Sequence, residues 1–127
     1  MTYDISLYDK DFLKRALEIN LGHWRGAPEI DTDVIASIVS SAKAFGFVES
    51  PLNPQMIEFM KQQGHAPGRE FTLDKEGMRA QLVVFPASIT ISIVSTANFL
   101  ETYNACSGLA KQWGNAHGLG YCDPQVG

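Results

Sequence analysis

The chain has 127 residues, enough for one domain that buries about two-thirds of its unfolded surface without help from a disulfide or a metal. An apolar fraction of 45% with 19% charged residues excludes a disordered chain. The 10 basic and 14 acidic residues leave a net charge of −4, and the basic ones are scattered, so the charge pattern argues against binding a nucleic-acid backbone.

The first element is legible in YDISLY, where Tyr3, Ile5 and Leu7 alternate with Asp4, Ser6 and Tyr8 as in a half-buried strand. Asp9 stands at a cap position, and Phe12, Leu13, Ala16 and Leu17 form a helical stripe, predicting a helix from about Lys10 to Asn20 that closes near Gly22. LGHWRGAPEIDTD reads as a loop broken by Gly22, Gly26 and Pro28. Thr32 or Asp31 caps the next helix, whose Val34, Ile35, Ile38, Val39, Ala42 and Phe45 share a face before a stop at Gly46. Asn53 followed by Pro54 starts a short helix with Met56, Ile57 and Met60 on its apolar side and Gly64 at its end.

The period then changes to two. REFTLD and MRAQLVVF form a hairpin around DKEG, with Ala80, Leu82 and Val84 on one face. After a bend at Pro86 and Ala87, Ile89, Ile91 and Ile93 alternate through SITISIVS. Ser95 or Thr96 is expected to cap a long helix whose stripe is Phe99, Tyr103, Cys106, Ala110 and Trp113, ending at Gly118. GLGYC is the last strand. The expected order is β-α-α-α-β-β-β-α-β, an α+β two-layer sandwich with a mostly antiparallel sheet and helices on one face. No segment reads as a linker to a second domain.

The opening MTYDISLYDKDF lacks a basic region followed by an apolar core, so it does not read as a secretory signal. The longest apolar stretch, AQLVVFPASITISIVS, is interrupted by Pro86 and by Ser and Thr, and reads as strands; no membrane association is expected. Two cysteines without close spacing fit a reduced cytoplasm.

Several residues invite a chemical role. Cys122 as a nucleophile needs a base, and His117 is near in sequence, but a helix stop stands between them. Cys106 and Cys122 fall at similar heights on a helix and a returning strand, so the spacing allows them to be near each other as core residues and leaves their closeness open. His23, His65 and His117 have no metal-ligand spacing, and no metal or cofactor is expected. Glu29, Asp31 and Asp33 surround a helix start, where carboxylates suit the positive end of the macrodipole without any catalytic role. The glycines supply no phosphate cradle and no nucleophile elbow. The loop GHWRGAPE is the candidate contact surface. It brings His23, Trp24, Arg25 and Glu29 together, and Trp and Arg are residue types enriched at binding hot spots. The alternative is that Trp24 folds back over the core with Arg25 stacked on it.

YDISLYDKDF at the start, FPASITISIV in the middle and AHGLGYCDPQ at the close resemble a group of small uncharacterised bacterial proteins. Those proteins open on a Tyr-Asp strand and close on a Gly-Leu-x-Tyr-x-Asp-Pro-Gln strand and turn. The resemblance carries no catalytic residue, and Cys122 stands where an aromatic or aliphatic residue is expected, which argues against a required thiol. In type, such small acidic α+β proteins are similar to immunity proteins that neutralise bacterial toxins. The resemblance therefore implies a non-enzymatic protein partner, a cognate toxin occluded at its active site. The competing expectations are a small enzyme with a site from His65, His117, Cys122 and Asp123, and a homodimer or larger homo-oligomer with a structural or regulatory role.

Overall fold

A computed structural model describes residues 2–18, 28–51, 53–64, 68–94 and 98–123. The chain runs β1 (Thr2–Asp9), α1 (Lys10–Glu18), α2 (Thr32–Phe45), β2 (Val48–Ser50), α3 (Pro54–Gln62), β3 (Arg69–Lys75), β4 (Met78–Phe85), β5 (Ser88–Val94), α4 (Phe99–His117) and β6 (Leu119–Cys122). The strands form one antiparallel sheet in the order β2-β3-β4-β5-β1-β6. The α+β class is as expected. The element order differs from the expected one, because the short edge strand β2 intervenes between α2 and α3.

Local chemistry sets the boundaries. The Asp9 carboxylate accepts the Phe12 N–H at 2.9 Å and starts α1 directly after β1. Asp31, rather than Thr32, caps α2 by accepting the Asp33 N–H at 2.8 Å, and Gly46 closes that helix. Asn53 accepts the Gln55 N–H at 2.9 Å with Pro54 behind it, as its position predicts. The β3–β4 turn places Glu76 at φ 54° and Gly77 at φ 82°, the two positive angles that let a tight hairpin follow the twist of its strands. Ser95 and Thr96, the expected caps of α4, lie outside the described residues. Asn98 occupies the cap position and makes no side-chain cap bond.

One face of the sheet carries the core. Ile5 and Leu7, Ile89, Ile91 and Ile93, Ala80, Leu82 and Val84, and Phe71 and Leu73 all point to it and are buried. Against them pack Ile38, Val39 and Ala42 of α2 and Cys106, Ala110 and Trp113 of α4. The Trp113 indole N–H donates to Ser41 Oγ at 3.0 Å and ties the two helices together. Gly114 lets α4 sit close, since a Cβ there would lie 3.1 Å from the Leu119 carbonyl.

The helices do not all share that face, which corrects the one-sided arrangement. Gly120 pairs with Tyr8 and points away from α4, and a Cβ on it would stand 2.6 Å from the Leu13 side chain of α1. Thus α1 covers the β1–β6 edge from the second face. Met56, Ile57 and Met60 of α3 stand over Glu70, Val83 and Phe85, which also face away from the core. Between α1 and α3 the second face is polar, with Ser6, Thr90, Ser92, Gln81 and Thr72 along its rows. Among the described residues, no helix is long and apolar enough to cross a membrane.

Candidate functional site

Two places gather groups that a minimal fold does not require. The first is Asp123, just beyond β6 and 4% exposed. Its Oδ1 accepts the Tyr3 hydroxyl, and its Oδ2 accepts the hydroxyls of Tyr103 and Tyr121, the latter at 2.9 Å. Because Tyr121 donates to the carboxylate, the 2.9 Å contact between Ser107 and Tyr121 runs from the Ser107 hydroxyl to the phenol oxygen. Tyr3 meets Phe99 and Tyr103 edge to face, with ring centroids 6.0 and 5.5 Å apart. Residues from β1, α4 and β6 are therefore joined through one carboxylate.

This network holds protons in place. The carboxylate beside Tyr103 raises its phenol pKa, with burial acting the same way. Burial raises that of Tyr121 further, and Asp123 adds to the effect. Phenols held protonated donate hydrogen bonds and do not act as bases at neutral pH. The thiol of Cys122 is also pushed up, first by burial and then by the Asp123 charge, the opposite of what activates a nucleophile.

Of the small-enzyme constellation, Cys122 and Asp123 are chain neighbours, but His117 stands apart from Asp123. His117 ends α4, whereas Asp123 contacts Tyr103 near its start, about 21 Å away along the axis at 1.5 Å per residue. His65 lies outside the described residues. Both cysteines are free, and they face opposite sides of the sheet: Cys106 lies in the core, while Cys122 pairs with Ser6 on the second face. The question that spacing left open is thus answered by the register: the sheet stands between the two side chains. Among the described residues, no three His, Cys, Asp or Glu side chains gather as a metal site.

The second place is a cleft of about 240 Å³ between α3 and the outer face of β3 and β4, walled by Met56, Ile57, Met60, Val83 and Phe85. It is smaller than the roughly 300–1,000 Å³ of typical small-molecule sites and suits one large side chain. Helix α3 has no buried residue, and Met56 and Phe59 are 57% and 54% exposed. The chain exposes this apolar surface although its core is elsewhere.

Of the expected contact residues, Glu29 is exposed, and His23, Trp24 and Arg25 lie outside the described residues. Glu29 stands at the cleft's end of the sheet: the next residue, Ile30, donates its N–H to the Pro86 carbonyl at 2.7 Å, and Phe85 lines the cleft. Asp31 and Asp33 are exposed at the start of α2, and Asp31 is used as a cap. The cleft itself is missing from the sequence reading. Its signal is the failure of alternation at the end of β4, where Val83 and Phe85 are apolar on the face that Arg79 and Gln81 make polar. The chain matches no family model, no curated protein and no solved structure.

Proposed function

We propose that the chain is a non-enzymatic protein-binding domain of the immunity type, which neutralises a cognate toxin by covering its active site, and that the α3 cleft is the centre of its docking surface. The observation that carries this reading is the exposure of Met56 and Phe59 on a helix with nothing buried, beside a cavity sized for a single anchor. Apolar side chains around a pocket that takes one partner residue are the anatomy of an interface core. Methionine suits such a wall because its unbranched, polarizable side chain adapts to what enters.

Charge supports the same reading. A net charge of −4 favours encounter with a basic surface. Glu29, Asp31 and Asp33 stand near the Pro86 end of the sheet and Glu70 stands in the cleft wall, so acidic groups flank the apolar centre. The segment with His23, Trp24 and Arg25 leads directly into Glu29, and those side chains belong to the proposed contact set. Occlusion requires no chemistry from this chain.

The test is co-expression with the products of neighbouring genes. One of them is expected to be toxic alone and harmless beside this chain, in a complex of nanomolar affinity. Met56→Asp and Phe59→Ser change exposed positions, so they are expected to leave the melting temperature nearly unaltered and to weaken the complex by about 100-fold. Protection that survives both substitutions refutes the α3 surface. The absence of any toxin against which the chain protects refutes the immunity reading.

A further inference from the structure

Among the described residues lining the cleft, Glu70 alone carries a charge. The Gln81 side-chain amide donates to it at a long 3.4 Å. No described cation lies within ion-pair distance of it. Arg69, the preceding residue in the chain, projects to the other face of the sheet and donates from Nε and Nη2 to the Glu49 carboxylate, at 2.9 and 2.8 Å. Lys61 lines a neighbouring depression with Glu58, not the cleft. A carboxylate therefore stands at an apolar slot without a cation.

A purely apolar anchor satisfies half of this site. It would bury the walls but strip water from Glu70 without replacing it, and an ionised carboxylate deprived of partners is costly. A long basic side chain satisfies both halves. Its methylene stem covers apolar surface while its head remains polar. The 240 Å³ volume accommodates one such side chain, and Phe85 offers an aromatic ring to the cation.

We propose that the cleft receives one arginine or lysine side chain of the partner protein, with its stem along Met56, Met60 and Val83 and its head on Glu70. The proposal rests on the protein-binding reading above and specifies what that surface selects. Arginine is favoured over lysine, because its planar fork can donate to both carboxylate oxygens.

The experiment pans a random heptapeptide library on the folded chain and measures the selected peptides against protein labelled at its methionine methyls. Met78 is buried on the other face and serves as the internal reference for Met56 and Met60. The expected peptides carry an arginine or lysine and shift the Met56 and Met60 signals without moving Met78. They also lose about 10-fold in affinity to Glu70→Gln, and they resist displacement by 1 mM free arginine. Selected peptides that reach Met56 and Met60 without a basic residue, or that ignore Glu70→Gln, overturn the cation and leave the docking reading standing. Displacement by free arginine overturns a protein source for the cation. Failure to select any peptide that reaches the cleft overturns both readings.

Discussion

Replacing Asp123 by alanine tests whether the tyrosine network holds β6 in place. The substitution removes the acceptor shared by Tyr3, Tyr103 and Tyr121. Hydrogen bonds to a charged group contribute about 1.5–3 kcal/mol each, so three set an upper range of roughly 4.5–9 kcal/mol. Against this stands the cost of burying the carboxylate, several kcal/mol at 4% exposure, which the variant no longer bears. The three phenols are only partly buried, so water reaches some of what the carboxylate leaves. The net expectation for Asp123→Ala is a loss of about 3 kcal/mol, within the 5–15 kcal/mol typical of a domain, so the variant still folds. At this chain length the melting temperature falls by about 9–15 °C. Asp123→Asn retains one acceptor oxygen but turns an amide donor toward the hydroxyls, and is expected to cost about half as much. Urea denaturation followed by tryptophan fluorescence measures all of these. A loss below about 0.5 kcal/mol for Asp123→Ala refutes the assignment, as does an asparagine variant no better than alanine.

The remaining predictions concern packing and pH. Gly108 is exposed on α4 and a Cβ there meets nothing within 4 Å, so Gly108→Ala should stabilise the fold by about 1 kcal/mol, read as a higher urea midpoint. Gly120→Ala should destabilise by about 1–3 kcal/mol, because its Cβ would lie 2.6 Å from Leu13 and 3.3 Å from the Lys10 Cα; an unchanged midpoint would place α1 elsewhere. Burial raises the Cys106 thiol pKa from 9.0 to about 11. The folded state thus holds that proton more tightly than the unfolded chain. Its stabilising contribution is complete below pH 9.0 and is lost as the pH rises through about 11. Tyr103 and Tyr121, whose phenols are also raised, act with the same sign at alkaline pH. Urea midpoints should therefore fall from pH 8.5 to 10.5, and Cys106→Ala should reduce the slope; a flat profile contradicts the burial.

The strands were legible because the sheet is deeply buried on one side, which forces the alternation seen at Ile89, Ile91 and Ile93. The capping chemistry of Asp9, Asp31 and Asn53 was equally readable, since each acts on an N–H two or three residues away. Long-range decisions left weaker marks. The three residues of β2 pair with Glu70, Phe71 and Thr72, Glu49 adds a side-chain ion pair to Arg69, and Val48 is left 69% exposed, so no burial pattern announces a strand. The stripe Phe12, Leu13 and Ala16 is the same whichever face of the sheet it covers; Gly120 opens the second face to it, more than a hundred residues later. Asp123 followed by Pro124 reads as an ordinary turn start, and its pairing with Tyr3 is invisible in local sequence. The cleft was hidden because Met56, Ile57 and Met60 look the same whether they fill a core or line an open surface.

The sheet order has a consequence for how the molecule is made. Strand β1 is enclosed between β5 and β6, so its residues, made before those of either neighbour, wait for partners that follow much later in the chain. On the ribosome, Ile5 and Leu7 stay uncovered until the β5 isoleucines emerge, and the β6 side remains open until residues 119–122 follow. Assembly of this kind is slow and leaves a sticky nascent segment for a chaperone to shield. A circular permutant that joins β6 to β1 and opens the exposed Glu76–Gly77 turn would bring those partners together earlier, and it is expected to refold faster with the same final architecture.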